Sequence, residues 1–151
     1  MLHAMRTRIY LDNCCFNRPF DDQDSLIVRL ETEAKLHVQQ MVKEGKLSLC
    51  WSYILDVENA ANPFEQRRVE IQRWAILSVE CAEETPAILA VSCDAVSKGL
   101  KPLDALHLAC AQAMKCDMFL TVDKGILRKA GAFDEIRILS PIDFVMDKEG
   151  E

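Results

Sequence analysis

The chain has 151 residues, half of them apolar and 28% charged, with a formal net charge of −6. That length suits one domain with a sizeable core, and no apolar run approaches the ~20 residues of a transmembrane helix. The negative charge argues against a broad basic nucleic-acid face, although an acid cluster supplies several such charges and bound divalent cations reverse the local sign.

The opening residues, MLHAMRTRIYLD, hold no long apolar segment and no small-residue cleavage pattern. No secretory leader is expected there, which makes a cytoplasmic location the default. Arg6–Asp12 then reads as a buried strand with Ile9, Tyr10 and Leu11 in it, ending on an acid. The stretch NCCFNRPFDDQ after it is rich in turn formers and reads as a long loop. A helix is expected from about Asp24, as N-cap, to Glu44, with Gly45 as its left-handed stop. Its apolar stripe is Ile27, Leu30, Ala34, Val38, Met41 and Val42.

Lys46–Trp51 reads as a second strand, and Ser52 opens a helix that stops before Pro63. Another helix is expected from Phe64 to about Leu77, and a short strand near Ser78–Cys81. Thr85 before Pro86 starts a helix ending at Gly99. Pro102 starts the next, with Leu103, Leu106, Cys110 and Ala113 as its core stripe. Met118–Asp123 is an apolar run that again ends on Asp, followed by a short helix to Ala130, a strand Ile136–Leu139 and a closing turn or short helix at Pro141–Val145. Strands alternating with helices indicate βαβ units and a parallel sheet, hence an α/β fold in one domain, residues 1–151. The five glycines form neither a G-x-G-x-x-G nor a P-loop, which excludes a glycine-rich nucleotide cradle of the usual kind.

Open α/β sheets bind ligands at the carboxyl ends of their strands. Asp12 and Asp123 stand at two such ends, and Thr121 points to the same side as Asp123. Asp104 lies in the first turn of its helix, where an acid also favours the helix dipole. Glu58 lies on an apolar helix face and needs a partner there. Asp56 competes with it, but at ~100° per residue the two point about 200° apart, so both cannot easily serve one site, and Glu58 is favoured.

Four converging carboxylates repel one another, and a hard cation with oxygen ligands, Mg²⁺ or Mn²⁺, relieves that repulsion. Zinc is disfavoured because His3, His37, His107 and the cysteines form no ligand-spaced group. His107 reads as a packing histidine. The seven cysteines are odd in number with no C-x-x-C pair, so they are expected as reduced, small core residues, with adjacent Cys14 and Cys15 the pair open to oxidation.

These spaced acids, carried by YLDN, SYILDVEN, LDALHLACA and FLTVDKGIL, resemble the PIN-domain proteins, in particular the VapC-like toxin ribonucleases. The resemblance runs from about Ile9 to Phe144. It implies a three-layer α/β/α sandwich with a parallel sheet in the order 3-2-1-4-5. It also implies a Mg²⁺- or Mn²⁺-dependent nuclease acting on RNA, with Asp12, Glu58, Asp104 and Asp123 as catalytic and metal-holding acids. Thr121 and Asn13 would support them, and Arg18, Lys124 and Arg128 would contact phosphate. The partners it implies are an RNA substrate and an antitoxin protein; whether the chain also forms a homodimer is left open. Where many members carry Asn or Ser two positions after the first Asp, this chain has Cys14.

Two rival readings come from other classes. A non-catalytic module would keep the fold and bind a protein or nucleic acid without cleaving it. A receiver-type domain would need a lysine at the end of a late strand, and Leu139 is followed by Ser140 and Pro141 instead.

Overall fold

Strand β1 (Thr7–Leu11) is the centre of the molecule, with Ile9, Tyr10 and Leu11 completely buried. The computed structural model describes residues 6–149. His3 and the rest of residues 1–5, the first part of the stretch read for a leader, lie outside the described residues. β1 pairs in parallel with β2 (Leu47–Ser52) on one side and β4 (Met118–Leu120) on the other. β3 (Glu80–Ala82) and β5 (Arg137–Leu139) form the edges, giving one sheet in the order β3-β2-β1-β4-β5. Parallel neighbours require crossovers, and the intervening helices supply them.

Successive strand residues face opposite layers. On one face Trp51 meets Phe16, with ring centroids 5.3 Å apart, under helices α1 (Asn13–Asn17) and α2 (Leu26–Lys43). On the other, Tyr10 meets His107 of α6 (Pro102–Ala113), which packs on α5 (Pro86–Ser97). α3 (Tyr53–Ala60) and α4 (Glu65–Ile76) form the connection from β2 to β3; α7 (Lys124–Arg128) and α8 (Pro141–Glu149) follow β4 and β5. The result is a three-layer α/β/α sandwich.

The local signals act as physical chemistry requires. Ser52 caps α3 by accepting the Leu55 N–H at 3.3 Å, and Thr85 caps α5 by accepting the Ile88 N–H at 3.1 Å. Gly45 ends the turn after α2 at φ +76°, a left-handed conformation open to glycine without a Cβ clash.

Five expectations are corrected. The segment after Asp12 is not a long loop. Asp12 caps it, accepting the Asn13 N–H on its side chain, and buried Cys15 and Phe16 anchor α1; a 3₁₀ turn, Arg18–Phe20, follows. The buried face of α2 keeps Ala34, Val38 and Val42 of the expected stripe but also takes in Glu31, Thr32, Lys35 and Gln39 and leaves Ile27 and Leu30 exposed, because packing there covers polar side chains that hydropathy assigns to water. α6 has no single stripe: Ala105 and His107 to Ala111 are all buried between sheet and α5, while Leu103 and Ala113 are exposed. β4 closes at Leu120, three residues before Asp123. The cysteines are all free thiols, but Cys81 and Cys93 are exposed instead of core residues.

Candidate active site

The carboxyl ends of β1, β2 and β4 carry Asp12, Ser52 and Thr121, all buried. The Asp12 backbone N–H donates to Leu120 O at 3.0 Å, which locks the end of β1 to β4. Its carboxylate is the hub of the site. Oδ1 accepts from Asn13 N–H at 2.8 Å; Oδ2 accepts from the Thr121 hydroxyl at 2.8 Å and from the Cys14 thiol at 3.3 Å. Thr121 in turn accepts the Asp123 N–H at 3.0 Å, so one buried hydroxyl ties the two acids together. The Cys14 thiol is held in its neutral, donating form: its hydrogen bond with Cys15, burial and the Asp12 charge all push it up.

Asp123 lies on an extended residue before α7 and caps that helix, its Oδ1 accepting Ile126 N–H at 3.1 Å. Asp104 sits in the first turn of α6. Its carboxyl is pushed up to about 6, chiefly by burial, then by the charges of Asp12 and Asp123, with Glu58 adding a smaller push and His107 opposing it. Asp12, Asp123 and Glu58 thus all lie within electrostatic reach of Asp104. Asp56 is elsewhere: its Oδ1 accepts from Trp51 Nε1 at 2.8 Å and Gln72 Nε2 at 2.9 Å, a structural role on the β3 side of α3.

Glu58 is held by a partner that sequence reasoning read as packing. His107 is fully buried, and its Nε2 meets Glu58 Oε1; the same nitrogen lies 3.9 Å from Asp12 Oδ1. Its Nδ1 is 2.6 Å from the Tyr10 hydroxyl, which is 2.5 Å from Ser52 Oγ. A carboxylate only accepts, so Nε2 carries the proton. Nδ1 shares a hydrogen bond with the Tyr10 hydroxyl, Tyr10 shares one with the Ser52 hydroxyl, and Ser52 accepts from Leu55 N–H. Every member of this buried chain is satisfied, as a low-dielectric interior demands. The D-A-x-H spacing that puts His107 one turn beyond Asp104 was the only signal for it in the sequence.

The three expected phosphate contacts differ in their freedom. Arg18 is paired with Asp21 Oδ2 at 3.1 Å and with Glu31 Oε1 at 3.3 Å. Lys124 and Arg128 are exposed on α7, beside Asp123. Lys124 also reaches the Glu31 carboxyl electrostatically, together with Arg18.

Among the described residues, no group of three or more His, Cys, Asp or Glu side chains already stands close enough to grip an ion. The donor set nevertheless fits a hard cation: four carboxylates, and a buried Asn13 Oδ1 with no hydrogen-bond partner. Asn13 Nδ2 lies 3.5 Å from Glu58 Oε2, which puts this free acceptor among the acids.

The raised Asp104 carboxyl has a consequence for stability. Its folded value lies above the ordinary 3.8, so the folded state binds more protons than the unfolded one between the two, and raising pH through that window costs stability. Without divalent cation, Asp104→Asn is expected to raise Tm at pH 7.5 by roughly 1–3 °C after allowance for solvent screening. That gain should vanish near pH 4. A gain of equal size at both values, by thermal melting, would remove the electrostatic account.

Comparison with known proteins bears on the fold and the family. No curated protein sequence matches the chain. Among solved structures, FitAcB from Neisseria gonorrhoeae superposes with a TM-score of 0.57 at 14% identity, covering 88% of this chain and 97% of that one. PAE2754 from Pyrobaculum aerophilum gives 0.53 at 15% identity, covering 97% and 98%. VapBC2 from Rickettsia felis, bound to a DNA fragment from its promoter, gives 0.50 at 15%, covering 87% and 97%. At such identities the likeness is one of fold. The PIN domain family model matches residues 9–132, a span holding every acid of the cluster. With the sheet order, the strand-end acids and this match in agreement, the chain belongs to the PIN-domain family.

Proposed function

We propose that this protein is a metal-dependent ribonuclease that hydrolyses RNA phosphodiester bonds, and that it is the cytoplasmic toxin of a toxin–antitoxin pair. The observation that carries the reading is the gathering of Asp12, Glu58, Asp104 and Asp123 at the carboxyl ends of β1 and β4, where the Asp104 carboxyl feels the other three. The likeness to FitAcB and VapBC2 supports the antitoxin partner that the family resemblance implies.

Asp12, Asp104 and Asp123 would hold Mg²⁺ or Mn²⁺, with Glu58 and Asn13 Oδ1 completing the oxygen set. A divalent cation there supplies Lewis acidity and stabilises the charge that develops on phosphate oxygens. The chain's own residues do the positioning. Thr121 and Cys14 orient the Asp12 carboxylate by hydrogen bonding one oxygen. His107 holds Glu58 at the site's edge. Lys124 and Arg128 present positive charge to the RNA backbone, and Arg18 joins them by exchanging its carboxylate partners for phosphate.

A non-catalytic module is the rival, favoured because, among the described residues, no three His, Cys, Asp or Glu side chains stand close enough to grip an ion. Incubating the protein with RNA and Mn²⁺, Mg²⁺ or chelator, beside calorimetric metal titration, separates the two. Cleavage that needs the cation supports the nuclease. Metal-independent binding without cleavage would give the site to the rival.

A further inference from the structure

Two segments carry Asp104 and Asp123: the start of α6 and the residues around the start of α7. Both segments also carry cations. Lys101 is the residue on which α6 begins, one turn before Asp104. Lys124 follows Asp123, and Arg128 and Lys129 stand at the end of α7. All four cations are exposed. Lys101, Arg128 and Lys129 have no ion-pair partner among the described residues, in a chain whose 24 acids outnumber its 18 lysines and arginines. Gly99 joins the two segments into one surface. It stands in the turn between α5 and α6 at φ +110°, and a Cβ there would meet Lys129 Nζ at 2.7 Å. The bare backbone lets the Lys129 side chain lie against the turn that leads to Lys101. The other cation of that turn, Lys98, is already engaged, pairing with Asp94 at 3.3 Å and resting over the Phe133 ring.

A phosphate held among the four acids belongs to a strand, and the next phosphates along it carry full negative charge past the same acids. Cations beside the acids offset that repulsion. We propose that Lys101 and Lys129 form a phosphate subsite that holds the RNA strand next to its scissile position, continuous with Lys124 and Arg128, so that the strand runs over the turn between α5 and α6. The subsite rests on the RNA reading of the acid cluster and adds the direction in which the strand leaves it. A narrow basic rim of this kind is compatible with a net charge of −6, since a broad basic face is not needed. The rim borders acids suited to act on a phosphodiester, which favours RNA over an acidic protein segment. Lys129 also lies by the C-terminal end of α5, where a cation favours the helix dipole. A role confined to that end shows in stability and not in RNA affinity.

The test measures binding apart from cleavage. Fluorescein-labelled oligo(U) and oligo(A) are titrated by anisotropy against the full chain carrying Asp12→Asn, with and without Lys101→Gln and Lys129→Gln together. The double change should weaken both RNAs about tenfold and equally, and lower the salt slope of log affinity by about 1.4, two single-strand phosphate contacts. The control removes the same charge at the opposite end of the sheet, with Lys46→Gln and Lys115→Gln in the segments that enter β2 and β4, and should stay within about twofold of the parent. In the active chain the rim variant should raise KM and keep kcat. Rim and control variants of equal RNA affinity, in a chain that cleaves RNA, would overturn the subsite and leave the nuclease standing. Weaker binding in the rim variant alone, in a chain that does not cleave, would uphold the subsite and give the acids to the non-catalytic module. A lowered Tm with unchanged RNA affinity would reduce Lys129 to a helix-end contact and sink the proposal. So would poly-glutamate displacing the RNA at equal charge concentration, which would assign the rim to an acidic partner.

Discussion

Asp12→Asn is expected to lower RNA-cleavage kcat/KM by roughly three orders of magnitude, about 4 kcal/mol of lost transition-state stabilisation. The fold should survive. Asp12 accepts hydrogen bonds from Asn13, Cys14 and Thr121, and an asparagine keeps one acceptor oxygen. Its new amide can donate to the Thr121 hydroxyl, which rotates to accept. The substitution also removes one of the charges acting on Asp104. The Asp104 midpoint, followed by carboxyl NMR, should therefore move down from about 6, without reaching the ordinary range, because burial is the larger cause. Cleavage near the wild-type rate in a variant whose Asp104 titration has moved would show that Asp12 is not part of the chemistry. An unmoved titration would show that the acids are not one cluster.

His107→Ala carries the largest expected cost in stability. The ring is fully buried and joins three elements: Tyr10 on β1, Glu58 on α3 and its own helix α6. Truncation opens a cavity beneath Tyr10 and leaves the Tyr10 hydroxyl without its imidazole partner. The two effects together cost about 3 kcal/mol, hence roughly 6–12 °C in Tm for a chain of this size. Tyr10→Phe removes one hydroxyl from the middle of the same chain and should cost less, about 1–2 kcal/mol, because Ser52 and His107 Nδ1 each lose a partner. Thermal melts of the two variants check both. A loss under about 2 °C for His107→Ala would mean that the chain stabilises nothing.

Much of this was legible in the residues. Aromatic and β-branched runs marked the strands, Ser52, Thr85 and Gly45 marked helix ends, and alternation of strand and helix required a parallel sheet. The four acids could be named because each stood at a strand end or on a helix that such a sheet brings near one. Tertiary structure alone separated Glu58 from Asp56, pairing Asp56 with Trp51 and Gln72 and Glu58 with His107. It alone placed the His107–Tyr10–Ser52 chain, whose members are 42 and 97 residues apart in sequence. It also buried Lys35 and Gln39, on a face that hydropathy gives to water. Periodicity reports which side chains share a face of one element. What lies against that face is set by packing between elements distant in the chain, and a polar side chain's worth depends on the partner that packing supplies.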